Sequence, residues 1–216
     1  MSKLTDWVLD LFFPTRCIFC RKLISPGRPR ICPSCMDTLP TADHDERKGD
    51  FFSLCVSALY YDDRVRDAIH RYKFEGNSAY YYAFGEQVAS RVYEALSGKY
   101  DIITWVPLAP DRLRRRGYDQ SELIARNAAS RLRKPVVRTL KKRRGVHPQS
   151  LTKGAEGRKA NISGAFSVID EKRVLGKRVL LVDDIVTTGA TLSECARMLL
   201  MSGAEEVLCA TLARAD

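Results

Sequence analysis

Residues 178–191 read RVLLVDDIVTTGAT, and no other stretch narrows the fold as far. Val179, Leu180, Leu181 and Val182 are consecutive apolar residues, the pattern of a strand buried on both faces in a parallel sheet. Asp183 and Asp184 are expected to end that strand, over 178–183. Thr187, Thr188, Gly189, Ala190 and Thr191 then supply hydroxyls, small side chains and free backbone N–H groups before a helical pattern over 191–201. Carboxylates at a strand end, a tight turn and a helix N-terminus together suit a sugar bearing a phosphate. The carboxylates can accept from ribose hydroxyls or hold Mg²⁺ through water, while the loop amides and helix dipole favour the phosphate.

At 216 residues, 45% of them hydrophobic, the chain can hold one α/β domain and a small appendage. No apolar run approaches the ~20 residues of a membrane span. The segment LTDWVLDLFF is interrupted by Asp6 and Asp10 and has no small-residue cleavage site after it, so the expected compartment is the cytoplasm. Residues 1–14 are read as a short helix, ended by Pro14, that packs on the body.

The net charge of +10 is concentrated. Residues 111–145 contain thirteen Lys and Arg against three Asp and Glu, a local balance of +10. Such a patch attracts polyanions, from pyrophosphate to nucleic acid, or is simply a solvated face. Within it, Lys141, Lys142, Arg143 and Arg144 are expected to lie away from the acidic pair.

Cys17-Ile-Phe-Cys20 and Cys32-Pro-Ser-Cys35 are paired CxxC turns separated by eleven residues. Each presents two thiolates, and four converging thiolates make a closed structural zinc site. Disulfides would need an oxidising compartment that nothing else in the chain suggests. Loss of zinc is expected to unfold this head and spare the rest. Cys55, Cys195 and Cys209 sit in apolar patterns, as buried core thiols do. Residues 41–50 are polar and are read as a linker that carries His44, between a head over 1–45 and an α/β domain over 51–216.

From residue 51 the pattern alternates. Strands are expected at 53–61, 101–108, 135–137, 178–183 and 206–212. A helix face is marked by Val65, Ile69 and Tyr72, and further helices are expected at 79–97, 121–132 and 191–201. Strand–helix alternation implies a mostly parallel sheet of α/β class. Ligands in such sheets bind beyond the strand carboxyl ends. The segment after 101–108 should therefore approach Asp183, and it carries Arg112 and Arg116 one helical turn apart, able to grip a pyrophosphate. Gly117 permits a turn and Gln120 opens the next helix. Residues 141–164 lack apolar periodicity and are read as a closing lid, with His147, Gln149, Lys153, Arg158 and Asn161 as candidates to meet ligand.

The stretch 178–191 resembles the signature of type I phosphoribosyltransferases: four hydrophobic residues, two acidic, two more, then TTGxT. That resemblance implies a ligand, 5-phosphoribosyl 1-pyrophosphate (PRPP), with Asp183 and Asp184 on the ribose hydroxyls as candidate catalytic residues and residues 187–191 on the 5′-phosphate. More narrowly, the chain resembles the ComF family. The motifs that carry this are the four cysteines, VPLxxxRxxxRG(F/Y)xQ over 106–120, a lid pattern reaching Gly164-Ala165-Phe166, and Lys73-Phe74-Glu75-Gly76. Tyr118-Asp119 stands where that family has Phe-Asn, which adds a negative charge near the expected pyrophosphate site. The resemblance implies a type I phosphoribosyltransferase fold with an N-terminal zinc module, Mg²⁺ accompanying PRPP, and a role in natural transformation and single-stranded DNA handling beside other DNA-uptake proteins. Two functions stay open: Mg²⁺-dependent phosphoribosyl transfer to an unidentified acceptor, or a non-catalytic PRPP or nucleotide sensor that binds single-stranded DNA or a partner protein.

Overall fold

In the computed structural model, residues 14–25, 30–143 and 164–215 are described. The expected N-terminal helix and the lid candidates His147, Gln149, Lys153, Arg158 and Asn161 lie outside them.

The sheet is the frame on which the site is built. Strands β1 (Leu54–Tyr60), β2 (Ile102–Trp105), β5 (Arg178–Val186) and β6 (Glu206–Arg214) form one parallel sheet in the order β1-β6-β5-β2. Near-continuous apolar strands need cover on both faces, and both are covered. After a short helix in the four-cysteine segment, α1 (Pro33–Met36), the helices α2 (Asp63–Phe74), α3 (Tyr81–Leu96) and α5 (Gln120–Leu132) share a core with Leu180, Val182, Leu208 and Ala210 on one face. On the other, Val179, Leu181, Val207 and Cys209 pack against α6 (Ala190–Met201) and a two-stranded antiparallel hairpin. That hairpin pairs β3 (Leu140–Lys142) with β4 (Phe166–Val168). Cys55, Cys195 and Cys209 are buried core thiols as expected, and burial pushes all three above the usual thiol range.

Local chemistry sets the helix starts. Asp62 caps α2 by accepting from the Val65 N–H at 2.8 Å, and Val65, Ala68, Ile69 and Tyr72 then fall on one buried stripe. Asp119 caps α5 through the N–H groups of Ser121 and Glu122 (3.1 and 3.2 Å), and it also accepts from Leu108 N–H at 2.7 Å. Its carboxylate is thus turned onto backbone, so the charge expected to disturb a pyrophosphate site is spent on holding the β2–α5 connection. Burial nonetheless raises its pKa above the usual carboxylate value.

The structure departs from the sequence reading at several places, and β2 ends at Trp105 rather than running to 108. Strand β5 does not end at the acidic pair but runs on to Val186, because β6 goes on pairing with it at Asp183↔Thr211, Ile185↔Ala213 and Val186↔Arg214. Residues 135–137 make a single parallel bridge, Ile103↔Val136, rather than a strand. A short helix, α4 (Pro110–Arg116), precedes α5 and closes on Gly117, whose φ of 83° ends it. Residues 41–50 are no free linker: Thr41 and Arg47 bridge antiparallel to Leu59 and Cys55 of β1 and cover the edge of the sheet.

The four-cysteine head is not a separate bead either. Cys17, Ile18, Phe19, Ile31, Cys32 and Cys35 are buried in the same cluster as Val65, Ile69 and Tyr72 of α2. Arg71 of α2 donates to the carbonyl of Ile18 at 2.6 Å.

Candidate functional site

β2 pairs with β5 only as far as Trp105↔Val182, whereas β6 follows β5 to Val186. The chain leaving β2 reaches α5 on one face of the sheet, and the chain leaving β5 enters α6 on the other. A crevice therefore opens at the carboxyl end of β5 on the β2 side, the place where open α/β sheets take ligands. Asp183 and Asp184 stand in it, and as successive strand residues they point to opposite faces.

Their environments differ. Asp183 accepts from Ser121 Oγ at the start of α5 (2.8 Å) and from the backbone N–H of Asp184 (2.8 Å). Burial, and next to it the negative charge of Asp184, push its pKa up to about 7. Asp184 is buried, and Lys73 at the end of α2 faces it, Nζ to Oδ2 2.9 Å. That contact is an ion pair rather than a well-directed hydrogen bond.

Beyond the acidic pair, residues 187–191 turn into α6. Gly189 adopts a φ of 76°, and no acidic residue stands in the first turn of the helix. Asp183 and residues 185–192 enclose a cavity of ≈ 100 Å³, a size suited to a single phosphate-bearing group. Lys73, Phe74, Gly76, Arg112, Arg115 and Arg116 line a larger open cleft of ≈ 660 Å³. Arg116 is held there, its guanidinium 5.1 Å from the centre of the Phe74 ring and hydrogen-bonded to Gln120 Oε1. The α4 helix thus brings Arg112 and Arg116 to the same cleft as Lys73, while Gly117 serves as the helix stop.

Sequence reasoning missed Ser121 and Lys142. Ser121 sits directly after the Gln120 that opens α5, so its place in the first turn beside an N-cap was the available signal. Lys142 does not lie away from the acidic pair. Strand alternation on β3 turns Lys141 out and Lys142 inward, over the Phe166 ring at 5.1 Å. Burial and then the charge of Arg112 lower its pKa, against the opposing pull of Asp183.

The four cysteines satisfy a geometric test for zinc. Their Sγ atoms all lie within 4.8 Å of one another, and those of Cys20 and Cys32 are 3.6 Å apart. Four thiolates at ~2.3 Å from one Zn²⁺ would have edges of about 3.8 Å, so the set fits a tetrahedral centre. Burial opposes ionisation of Cys17, but the N–H groups of Cys32, Cys20 and Phe19 outweigh it and bring the thiol down to about 7. Cys17, Cys20, Cys32 and Cys35 would hold the ion, and a closed four-thiolate sphere makes its role structural.

Residues 119–216 match the model of the phosphoribosyl transferase domain, and residues 8–46 that of a double zinc ribbon domain. The chain is 30% identical to the DNA utilization protein YhgH of Escherichia coli K12, covering 94% of this chain and 100% of that protein. The chain belongs to the ComF family. It is also 27% identical to Competence protein F of Haemophilus influenzae, over 94% of this chain and 99% of its relative. With ComFC of Streptococcus pneumoniae R6 it shares 28% identity over 85% and 80% of the two chains. The ComF-family chain thus joins a phosphoribosyltransferase-type α/β fold to a zinc-ribbon head. Among its described residues no helix is long and apolar enough to cross a membrane.

The raised Asp183 has a measurable consequence in the ligand-free protein. Because its folded pKa of about 7 exceeds the unfolded value near 3.8, the neutral form's contribution to stability is complete below pH ~4 and is lost as pH rises through 7. Asp183→Asn keeps an acceptor for Ser121 and the Asp184 N–H but cannot ionise. Relative to the parent, it should gain about 2 kcal/mol of stability between pH 5 and pH 8, less than the full shift implies because Asp183 is partly open to solvent. Chemical denaturation at the two pH values tests this. A parent-to-variant difference that does not change with pH would show that Asp183 is not raised.

Proposed function

We propose that the chain binds PRPP with Mg²⁺ and transfers its phosphoribosyl group to an acceptor in DNA uptake, a reading supported by relatives named as competence and DNA utilization proteins. The observation that carries this reading is the crevice itself. Two carboxylates, a Gly189 turn before a helix and a cleft with Lys73, Arg112 and Arg116 converge at one strand end.

Each part of PRPP has a match in charge and size. Asp183 and Asp184 accept from the ribose hydroxyls. Residues 187–191 offer N–H and hydroxyl groups to the 5′-phosphate, aided by the positive end of α6. Lys73, Arg112 and Arg116 take the pyrophosphate, where charge develops as the glycosidic bond breaks. Mg²⁺ is held by one or two carboxylates with substrate phosphate oxygens, which suits this donor set, and would neutralise leaving-group charge. The basic surface around α4 and α5 is the candidate contact for single-stranded DNA.

The binding claim is tested by Asp183→Asn with Asp184→Asn. The fold should persist, and the PRPP affinity read by calorimetry with Mg²⁺ should fall by about 1.5–3 kcal/mol for each charged hydrogen bond lost. Parent-like affinity in the double variant would leave the signature without a ligand role. Release of pyrophosphate from PRPP then separates turnover from binding alone.

A further inference from the structure

We propose that Arg47 is a positioning residue for the phosphate loop: by holding the Thr187 carbonyl it aims the Thr188 N–H into the cradle beside Asp183. This rests on the ribose-phosphate reading of that cradle. It concerns a residue outside the signature, on the segment between the zinc head and the sheet.

Arg47 is fixed before its side chain does anything. Its N–H donates to the Cys55 carbonyl at 3.0 Å, and its own carbonyl accepts from Cys55 N–H at 2.7 Å, so the backbone is pinned to β1. From there Nη1 donates to the Thr187 carbonyl at 3.0 Å, across 140 residues of sequence. In a trans peptide the C=O and the following N–H point to opposite sides, and among the described residues no peptide is cis. A Thr187 carbonyl turned to Arg47 therefore turns the Thr188 N–H away from it.

The loop has two sides to choose between. One faces the ≈ 100 Å³ cradle with Asp183. The other faces a second cavity of ≈ 160 Å³ whose walls include Arg47, Lys48, Phe52, Thr188, Gly189 and Ser193. Arg47 stands on the second side, so the donor it aims serves the first.

Arg47 fixes the Thr187–Thr188 peptide just ahead of Gly189, whose φ of 76° starts the turn into α6. The same segment limits the loop from below: the Phe52 ring would lie 3.7 Å from a Cβ at Gly189. A donor aimed before the ligand arrives costs no reorganisation on binding.

The test uses the full chain, with ribose 5-phosphate and inorganic pyrophosphate as separate calorimetric probes. Arg47→Ala should weaken ribose 5-phosphate by at least about tenfold, the loss of one charge-assisted hydrogen bond, and leave pyrophosphate within about twofold. Arg47→Lys, which keeps a cationic donor, should bind ribose 5-phosphate within about threefold of the parent, and it is read alone if Arg47→Ala does not fold. Parent-like ribose 5-phosphate binding by Arg47→Ala, equal weakening of both probes, or Arg47→Lys as weak as Arg47→Ala each overturns the proposal. A parent that binds pyrophosphate but not ribose 5-phosphate overturns the ribose-phosphate reading itself, and this assignment with it, before any variant is made.

Discussion

Removing zinc from the four-cysteine centre is expected to destabilise the whole chain, not only the head. A head with a core of its own would melt alone. Here Ile18, Phe19 and Ile31 are buried in one cluster with Val65, Ile69 and Tyr72 of α2, and Arg71 ties α2 to the Ile18 carbonyl. Structural zinc contributes on the order of 10 kcal/mol to folding small modules. Each large apolar side chain uncovered when the head opens costs about 1.5–3 kcal/mol more. Chelation, or Cys32→Ser, should therefore lower the unfolding free energy of the sheet by at least about 3 kcal/mol. Trp105 on β2 reports this, since it is buried in the same cluster and the chain's other tryptophan, Trp7, can be replaced by Phe. If the Trp105 transition in denaturant is unmoved by chelation, the shared core does not couple head and sheet.

The second large effect is expected at Lys73. Its ammonium lies 2.9 Å from Asp184 Oδ2, and Asp184, with a side chain only 8% exposed, cannot turn to water in place of its partner. Removing one member of a buried pair costs about 3–5 kcal/mol because the other charge stays uncompensated. Lys73→Ala should approach the lower end of that range, with the nearby Asp183 adding repulsion. Combining Lys73→Ala with Asp184→Asn should restore most of the loss, as removing both charges leaves nothing unpaired. A single variant within about 1 kcal/mol of the parent would mean that solvent screens Asp184 after all. Ligand affinity should fall in both variants, so denaturation and binding must be read separately.

The two predictions share a physical origin. Arg71, which contacts the head, and Lys73, which contacts the acidic pair, stand two residues apart near the end of α2. A helix transmits position because its backbone hydrogen bonds keep it stiff over such a distance. Head and crevice are thus joined by a single element.

Much of the chemistry was readable from residues alone because it is local. The apolar run before Asp183, the small residues after it and the two CxxC turns each depend on neighbours within a few positions. So do the Val65-Ile69-Tyr72 face and the turn at Gly117. Periodicity and φ preference act at that range, and a one-dimensional reading captures them.

What the tertiary structure decided is pairing between distant segments. Strand β5 runs through its two aspartates because β6 is there to accept the ladder, and no property of Asp183 or Asp184 could announce it. The polar residues 41–50 read as a linker, yet they cover the β1 edge, since edge hydrogen bonds are made by backbone and ask for no apolar side chain. Lys142 reads as part of a basic run, and only the β3–β4 register turns it inward over Phe166. The same holds for Arg47 on Thr187 and Ser121 on Asp183. The sequence by itself determined which chemical groups the crevice has at its centre. Which distant residues aim, neutralise and enclose them followed from strand pairing and packing, whose partners lie too far along the chain for any local pattern to encode.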